Sequence, residues 1–190
     1  MKVLIFSGGT GSIALQTGFA GIYRGLIDVQ ILTNCYDNGK STGAVRQVFD
    51  GKILGPSDLR KNQTTQYRLK QNFNETILKF LEKRFDCQID EAYDFCIGEV
   101  NLLNYEKAIS TEQQVVLIRA VKEFFKQPKS KQITYHDFSL SNIVYAGLAA
   151  LNGNSLSAAG KFMEDVLGLP ADSVILNDDK EISFADTTEV

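Results

Sequence analysis

The chain has 190 residues, of which 44% are hydrophobic and 23% are charged, a balance typical of a globular domain. This composition excludes a disordered chain, a collagen-like repeat and a small disulfide-rich domain, and no apolar run approaches the roughly 18 residues of a membrane span. The net charge of −3 gives no general attraction to nucleic acid or to an anionic membrane. With 3 cysteines and no C-x-x-C pattern, we expect reduced thiols in a cytoplasmic protein.

The N-terminal third begins with a pattern that predicts a strand, a glycine turn, a helix and a second strand. The apolar run 2–6 ends at glycine, and its composition favours a strand buried on both faces of a parallel sheet. Apolar residues then recur at helical spacing over 13–22, and a second strand is predicted over 29–33. Such a βαβ unit crosses over with a right hand.

The rest of the chain alternates helical patterns with short strands. Between residues 65 and 128 the apolar residues recur almost entirely at helical spacing, which predicts a helical insertion or lid layered on the sheet. We predict one domain over 1–190, of the α/β class, Rossmann-like, with three αβα layers, a mainly parallel sheet and a C-terminal hairpin. The other predicted elements are helices at 44–49, from 57, at 141–151 and at 155–167, a strand at 133–135, and a hairpin of 174–176 with 182–184.

A glycine-rich segment, 8–12, follows the first predicted strand directly. Read from Gly9 it has the form G-x-G-x-x-A, ending at Ala14, where the strand gives way to a helix. Glycines let the backbone approach a ligand, and the free N–H groups at a helix start favour a phosphate. A purely structural turn is the alternative. The residues predicted to bind phosphate are Gly8, Gly9, Thr10, Gly11 and Ser12.

The segment after the second predicted strand resembles the end of a P-loop in its Gly39-Lys40-Ser41. A P-loop also needs a glycine at the position of Asn34, so a P-loop kinase is a minor alternative. Lys40 and Ser41 remain candidates for contact with a phosphate.

Asp37 lies in the same segment and is the candidate catalytic residue and metal ligand. A dinucleotide dehydrogenase is disfavoured, because the strand tip carries Thr33-Asn34 rather than an acidic residue that holds ribose hydroxyls. Two interpretations of Asp37 stay open: it caps a turn, or it lies beside a bound phosphate and holds Mg²⁺ or accepts a proton.

Two further segments precede predicted helices. In the first, Ser57 and Asp58 form a helix cap, and Arg60 and Lys61 follow in the first turn, where a positive charge opposes the helix dipole. An anionic ligand would explain them, and a solvated basic face is the alternative. All four are candidate phosphate-binding residues.

The second such segment contains His136, the only histidine, which excludes metal sites built from two histidines. His136 is either a hydrogen-bonded structural residue or a contact of a nucleotide. Ser141 is read as a cap, and Asn142 as a candidate nucleotide-binding residue.

Taken in order, these segments resemble the 2-phospho-L-lactate transferase (CofD-like) family, which includes the UDP-sugar-binding gluconeogenesis factors. The resemblance covers about 1–62 closely and 133–190 loosely. It implies a Rossmann-like sheet that binds a nucleoside diphosphate conjugate, with Mg²⁺. The residues that carry it are those of 6–12, 36–43 with Arg46, 54–61, and His136 with Ser141-Asn142.

Position by position, the resemblance implies that Gly8, Gly9, Thr10 and Gly11 cradle the diphosphate. Asp37 takes the first place of the family's Asp-Asp pair, as metal ligand or base, and Asn142 falls on the asparagine of its Gly-Asn motif. Asn38 and Ser141 depart from the pattern, because the family usually has aspartate and glycine there. An amide cannot replace a carboxylate as an anionic ligand or base. Family members are longer, so an incomplete family domain is an alternative.

We therefore expect a protein that binds a GDP- or UDP-linked conjugate and, as an enzyme, transfers a phospho-linked group to an acceptor hydroxyl. The rival interpretation is a non-catalytic UDP-sugar sensor that reports to a partner, which the departure at Asn38 favours. An open sheet edge would pair with another protomer, so we also expect a homo-oligomer, without nucleic-acid or membrane partners.

Overall fold

The structure is a computed structural model that describes residues 1–8, 10–22, 28–37 and 39–177. After the βαβ unit at its start, groups of two or three consecutive helices separate the strands in this part of the chain, and short 3-10 helices cover Thr10–Ser12 and Pro128–Gln132. The strands are β1 (Lys2–Ser7), β2 (Asp28–Thr33), β3 (Arg84–Cys87), β4 (Tyr135–Ser139) and β5 (Val174–Leu176). The helices are α1 (Ile13–Ile22), α2 (Lys40–Val48), α3 (Pro56–Arg68), α4 (Glu75–Glu82), α5 (Ile89–Tyr105), α6 (Thr111–Lys126), α7 (Leu140–Leu151) and α8 (Leu156–Leu167).

Strands β1, β2 and β5 form a parallel sheet in the order β1-β2-β5. This arrangement confirms the predicted βαβ unit and the Rossmann-like α/β class with a mainly parallel sheet. The strand predicted over 174–176 is also confirmed, and in the described part of the chain it pairs with β2. Its predicted hairpin partner, 182–184, lies outside the described residues.

The two faces of this sheet are covered differently. On one face, Ile5, Ile31 and Val174 lie side by side in register, are buried, and belong to the hydrophobic core. Helix α3 packs against β2 and β5. On the opposite face Phe6 of β1 is 75% exposed. The expectation that β1 is buried on both faces is therefore wrong for the described residues, where β1 is an edge strand.

Helix α7 lies at the centre of the helical part, with its residues from Leu140 to Ala149 all buried. A helix that is buried on every side needs neighbours all round, and α7 packs against α2, α3, α4, α6 and α8. Its close approach to α6 depends on Gly147, because a Cβ there would lie 2.0 Å from the carbonyl oxygen of Ala120.

The segment 65–128 contains the predicted helices, here α4, α5 and α6, and its division from the sheet as an insertion stays a prediction. It also contains a strand that the sequence pattern did not reveal. Strand β3 pairs antiparallel with β4, and Phe85 of β3 packs in a ring cluster with Tyr135 and Phe138 of β4. Among the described residues, no helix is both long and apolar enough to cross a bilayer.

Candidate functional site

A cleft of about 390 Å³ opens at the carboxyl ends of β1 and β2. Gly8 follows β1, Asn34 and Asp37 follow β2, and Asp58 and Lys61 come from the first turns of α3; these five residues line the cleft. In parallel α/β sheets this edge is where ligands bind. The structure thus brings together candidates from three separate sequence segments.

A close backbone contact places the start of α3 against the loop after β2. The N–H of Gly55 donates to the carbonyl oxygen of Cys35 at 2.9 Å. A Cβ on Gly55 would lie 2.6 Å from the carbonyl oxygen of Asp37 and 2.5 Å from Cγ2 of Thr42. Only glycine allows this approach, which sets Asp58 beside Asp37.

Beneath the cleft, a buried polar network is centred on Asn62 of α3. Its Oδ1 accepts from Ser7 at 3.0 Å, from Ser12 at 3.2 Å and from Gln16 at 2.7 Å, and its Nδ2 donates to Thr33 at 3.2 Å. One side chain therefore ties the ends of β1 and β2 to α1 and α3. The glycine-rich motif predicts that Ser12 contacts a phosphate, whereas in the structure its hydroxyl bonds to Ser7, Asn62 and Gln16. The sequence does not predict this role of Asn62, because its hydrogen-bond partners lie far away in the chain and no local pattern marks them.

The cleft contains two carboxylates and one ammonium group. Burial raises the pKa of the Asp58 carboxyl, the nearby Asp37 charge acts in the same direction, and Lys61 opposes both. Nζ of Lys61 lies 3.6 Å from Oδ1 of Asp58. A site of this kind favours a cation beside the carboxylates and an anion beside the ammonium group.

The two carboxylates of the cleft are of the chemical type that binds magnesium. Mg²⁺ is usually held through one or two carboxylates together with water and substrate phosphates. Asp37 and Asp58 supply two such oxygen donors at one cleft. Within the described residues, no group of three or more His, Cys, Asp or Glu side chains could hold a metal ion by itself.

The beginnings of α2, α3 and α7 meet at a second polar cluster. Asn142 of α7 donates through Nδ2 to Ser41 of α2 and to Ser57 of α3, both at 3.1 Å, and Thr42 bonds to Ser57. All four side chains are buried. Oδ1 of Asn142 is buried and has no hydrogen-bond partner in the described part of the chain. The structure thus joins three predicted site residues, Ser41, Ser57 and Asn142, none of which is among the residues that line the Asp37 cleft.

Arg60 lies outside the cleft although it adjoins Lys61 in sequence. Its side chain is buried, and Nη1 donates at 3.1 Å to the carbonyl oxygen of Leu81, near the C-terminal end of α4. Burial lowers the pKa of its guanidinium. Positive charge is favourable at a helix C-terminus. This contact explains why a basic residue lies near the start of α3, so no anionic ligand is needed to explain Arg60.

Lys40 and His136 line a neighbouring cavity of about 410 Å³, between α2 and β4. Lys40 is highly exposed, with Nζ 3.9 Å from Oδ2 of Asp137. His136 pairs through Nδ1 with Oδ1 of Asp86 on β3 at 2.5 Å. The sequence pattern does not reveal β3, so it does not predict Asp86 as a charged neighbour of His136.

The remaining candidates belong to the glycine-rich turn. Thr10 and Gly11 lie in the 3-10 helix that joins β1 to α1. Gly9 lies outside the described residues, as does Asn38, the position at which the sequence departs from the family pattern.

No protein-family model and no curated protein matches the chain. Its fold is similar to two crystal structures of a UPF0052 family protein from Bacillus halodurans. The first has a TM-score of 0.59 and 17% sequence identity, and covers 95% of this chain and 40% of that one. The second has a TM-score of 0.58 and 16% identity over the same shares. The likeness shows the fold, and the chain spans 40% of the length of these neighbours.

Proposed function

We propose that the protein binds a nucleoside diphosphate conjugate in the cleft at the ends of β1 and β2. The observation that carries this proposal is the meeting of Gly8, Asp37, Asp58 and Lys61 at one cleft. A second support is the fold, since the UPF0052 family of its structural neighbours is the CofD-like family that the motifs resemble.

Each part of the cleft has a role toward such a ligand. The backbone from Gly8 into the 3-10 turn would face one phosphate, as N–H groups at a helix start do. Lys61 now lies beside Asp58, and it would contact a phosphate oxygen once a metal cation replaces its ammonium group there. Asp37 and Asp58 would hold Mg²⁺, which when bound neutralises charge on the phosphates.

As an enzyme, the protein would transfer a phospho-linked group to an acceptor hydroxyl, in the manner of a 2-phospho-L-lactate transferase. Such transfer depends on positioning and on charge neutralisation more than on a protein nucleophile. The pair of Asp37 with Asp58 supports this candidate, because it restores the second carboxylate that Asn38 lacks.

The second candidate is a non-catalytic UDP-sugar-binding regulator of the gluconeogenesis-factor type. The Asn38 amide favours it, because binding tolerates loss of a carboxylate better than catalysis does. We place either activity in the cytoplasm. Cys35, Cys87 and Cys96 form no disulfide with one another in the described part of the chain, and burial raises the pKa of Cys96, which is typical of an unreactive cysteine.

Calorimetric titration with GDP, UDP and UDP-glucose, with and without Mg²⁺, tests the proposal. We expect binding that Mg²⁺ strengthens and that Asp37→Asn weakens about tenfold or more, a loss of about 1.4 kcal/mol. Asp94→Asn, an exposed carboxylate on α5, is the matched control and should bind like the original. Absence of binding to all three nucleotides would overturn the proposal. Tight binding independent of Mg²⁺ would favour the regulator.

A further inference from the structure

One face of helix α2 borders a cavity of about 780 Å³. Lys40, Gly43, Ala44 and Gln47 line this cavity, and their i, i+3, i+4, i+7 spacing places them on one side of a helix. The two central residues are glycine and alanine, so little side-chain volume fills the space between the two ends of the face. The sequence of α2 itself therefore explains why a cavity lies there.

A second cavity, of about 410 Å³, adjoins the first on the side of β4. Lys40 and Ala44 line both cavities, and we call the two together the α2 groove. Both volumes lie in the range of ligand pockets. The nine residues of α2 span about 13 Å at 1.5 Å per residue, which is long enough for an extended small molecule. The groove shares no lining residue with the nucleotide cleft among the residues that the structure describes.

Positive charge predominates in the larger cavity, although the chain as a whole has a net charge of −3. Among the described residues that line it, Lys40, Arg46 and Lys129 are basic and Asp50 alone is acidic. Lys129 lowers the pKa of the Asp50 carboxyl by its hydrogen bond and its charge, and Lys52 acts in the same direction. Cationic side chains that converge on one concave surface raise the local concentration of anions. The groove therefore favours a ligand with several negative charges.

Exposed ion pairs hold the two lysines of the groove. Nζ of Lys40 lies 3.9 Å from Oδ2 of Asp137, and Lys129 contacts Asp50. Asp137 is itself held by Arg84, which donates to its carboxylate and to its carbonyl oxygen. Lys40 is 83% exposed. Because exposed ion pairs are weak, an anionic ligand can compete with either carboxylate for its lysine.

The same ion pairs contain three residues with an unusual backbone. Lys40, Asp50 and Asp137 have φ angles of 45°, 56° and 45°, in the left-handed region that favours glycine. Backbone conformations of this kind cluster at ligand sites, where a side chain is held in a particular place. The strained backbone thus fixes charges of the groove at both ends of α2.

The remaining lining residues suit a phosphorylated organic molecule. The guanidinium of Arg46 is planar, and such groups bind phosphate oxygens in pairs. Ser41 and Thr134 add hydroxyl groups, and Ala44 and Phe138 give apolar walls. We propose that the α2 groove binds an elongated small molecule that carries two or more phosphate groups. This site is additional to the proposed nucleotide site and does not depend on it.

Titration of the full chain with inorganic tripolyphosphate, in metal-free buffer at constant ionic strength, tests the inference. Orthophosphate is the comparison with a single phosphate. Because His136 is the only histidine and lines the groove, its imidazole signals in NMR reveal binding there without assignment of other histidines. We expect tripolyphosphate to shift these signals and to bind about tenfold or more tightly than orthophosphate, since it reaches more than one cation.

Replacement of single lysines then locates the bound anion. Lys40→Ala and Lys129→Ala should each weaken tripolyphosphate binding about two- to fivefold, as expected for an exposed charge contact. Lys122→Ala removes the same charge from an exposed position on α6 and is the matched control, with unchanged affinity. Lys61→Ala, in the nucleotide cleft, should also leave tripolyphosphate binding unchanged.

Four outcomes would overturn the inference. They are no shift of the His136 signals by tripolyphosphate, equal affinity for orthophosphate, equal losses in Lys40→Ala and Lys122→Ala, and loss of binding in Lys61→Ala. The last outcome would assign the anion to the nucleotide cleft. If the protein instead binds tripolyphosphate in the groove but none of the nucleotides, the proposed function fails and the α2 groove remains.

Discussion

At the scale of single residues, Asp58 links binding to stability. Its carboxyl is held in a partly buried place, which raises its pKa, and Lys61 offsets this only in part. The folded protein therefore binds the Asp58 proton more tightly than the unfolded chain does. Its effect is absent below the unfolded pKa, and stability declines as the pH rises through the folded pKa.

We accordingly expect Asp58→Asn to raise the melting temperature at about pH 7 and to change it little at about pH 3. Asp50→Asn is the control of opposite sign, because Lys129 lowers the pKa of Asp50 on the surface. Thermal melts at the two pH values check both variants. A fall in the melting temperature of Asp58→Asn at neutral pH would contradict the expectation.

Asn62 is a second residue whose replacement has a clear expected effect. Asn62→Ala removes the acceptor shared by Ser7, Ser12 and Gln16. Each buried group left without a partner costs about 1–3 kcal/mol, so we expect a loss of about 3 kcal/mol in the free energy of unfolding. Asn101→Ala, at an exposed position on α5, should change it by no more than about 0.5 kcal/mol. Urea denaturation measures both, and equal losses would refute the role of the network.

At the scale of elements, the contact between α6 and α7 depends on a residue without a side chain. A methyl group at Gly147 would meet the carbonyl of Ala120 at 2.0 Å, so Gly147→Ala forces the helices apart. We expect destabilisation of about 1–3 kcal/mol, as for overpacked cores. Gly98 of α5 has nothing within 4 Å of its Cβ position. Gly98→Ala should therefore stabilise the protein by up to about 1 kcal/mol. Calorimetry measures the stability changes of the two variants, which should have opposite signs.

Strand β1 carries a similar contrast between its two faces. Ile5 is 6% exposed and Leu4 is 47% exposed. Ile5→Ala should lower the free energy of unfolding by about 2–5 kcal/mol. Leu4→Ala should lower it by only about 1 kcal/mol, since about half of its surface stays in water in the folded protein. Similar losses in the two variants would mean that both faces of β1 are covered.

At the scale of the whole molecule, the sheet offers an apolar row on its second face. Phe6, Leu32 and Ile175 lie side by side in register, and Phe6 is mostly exposed. Exposed apolar patches and open strand edges favour association, so a homo-oligomer remains our prediction.

Light scattering after size exclusion measures this association. We expect Phe6→Lys to shift the protein toward the monomer, because a charge placed in an apolar contact is costly. Tyr105→Lys replaces another exposed aromatic residue, on α5, and should leave the mass unchanged. A monomeric original protein would contradict the prediction.

The sequence by itself determined the features that short stretches of chain encode. The apolar runs of β1 and β2, the glycines after β1 and the helical spacing over 141–151 each act through neighbours in sequence, so their patterns predict the local structure. The same holds for the placing of Gly8 and Asp37 after parallel strands, since such strands end at one edge of a sheet.

Only the tertiary structure decided which of these segments meet. Residues far apart in sequence meet in three places: β3 pairs with β4, Arg60 contacts the C-terminal end of α4, and Asp58 lies near Asp37. Burial of β1 on one face likewise depends on which elements pack against it. Long-range contacts follow from how the whole chain excludes water and fills space, which no local pattern records.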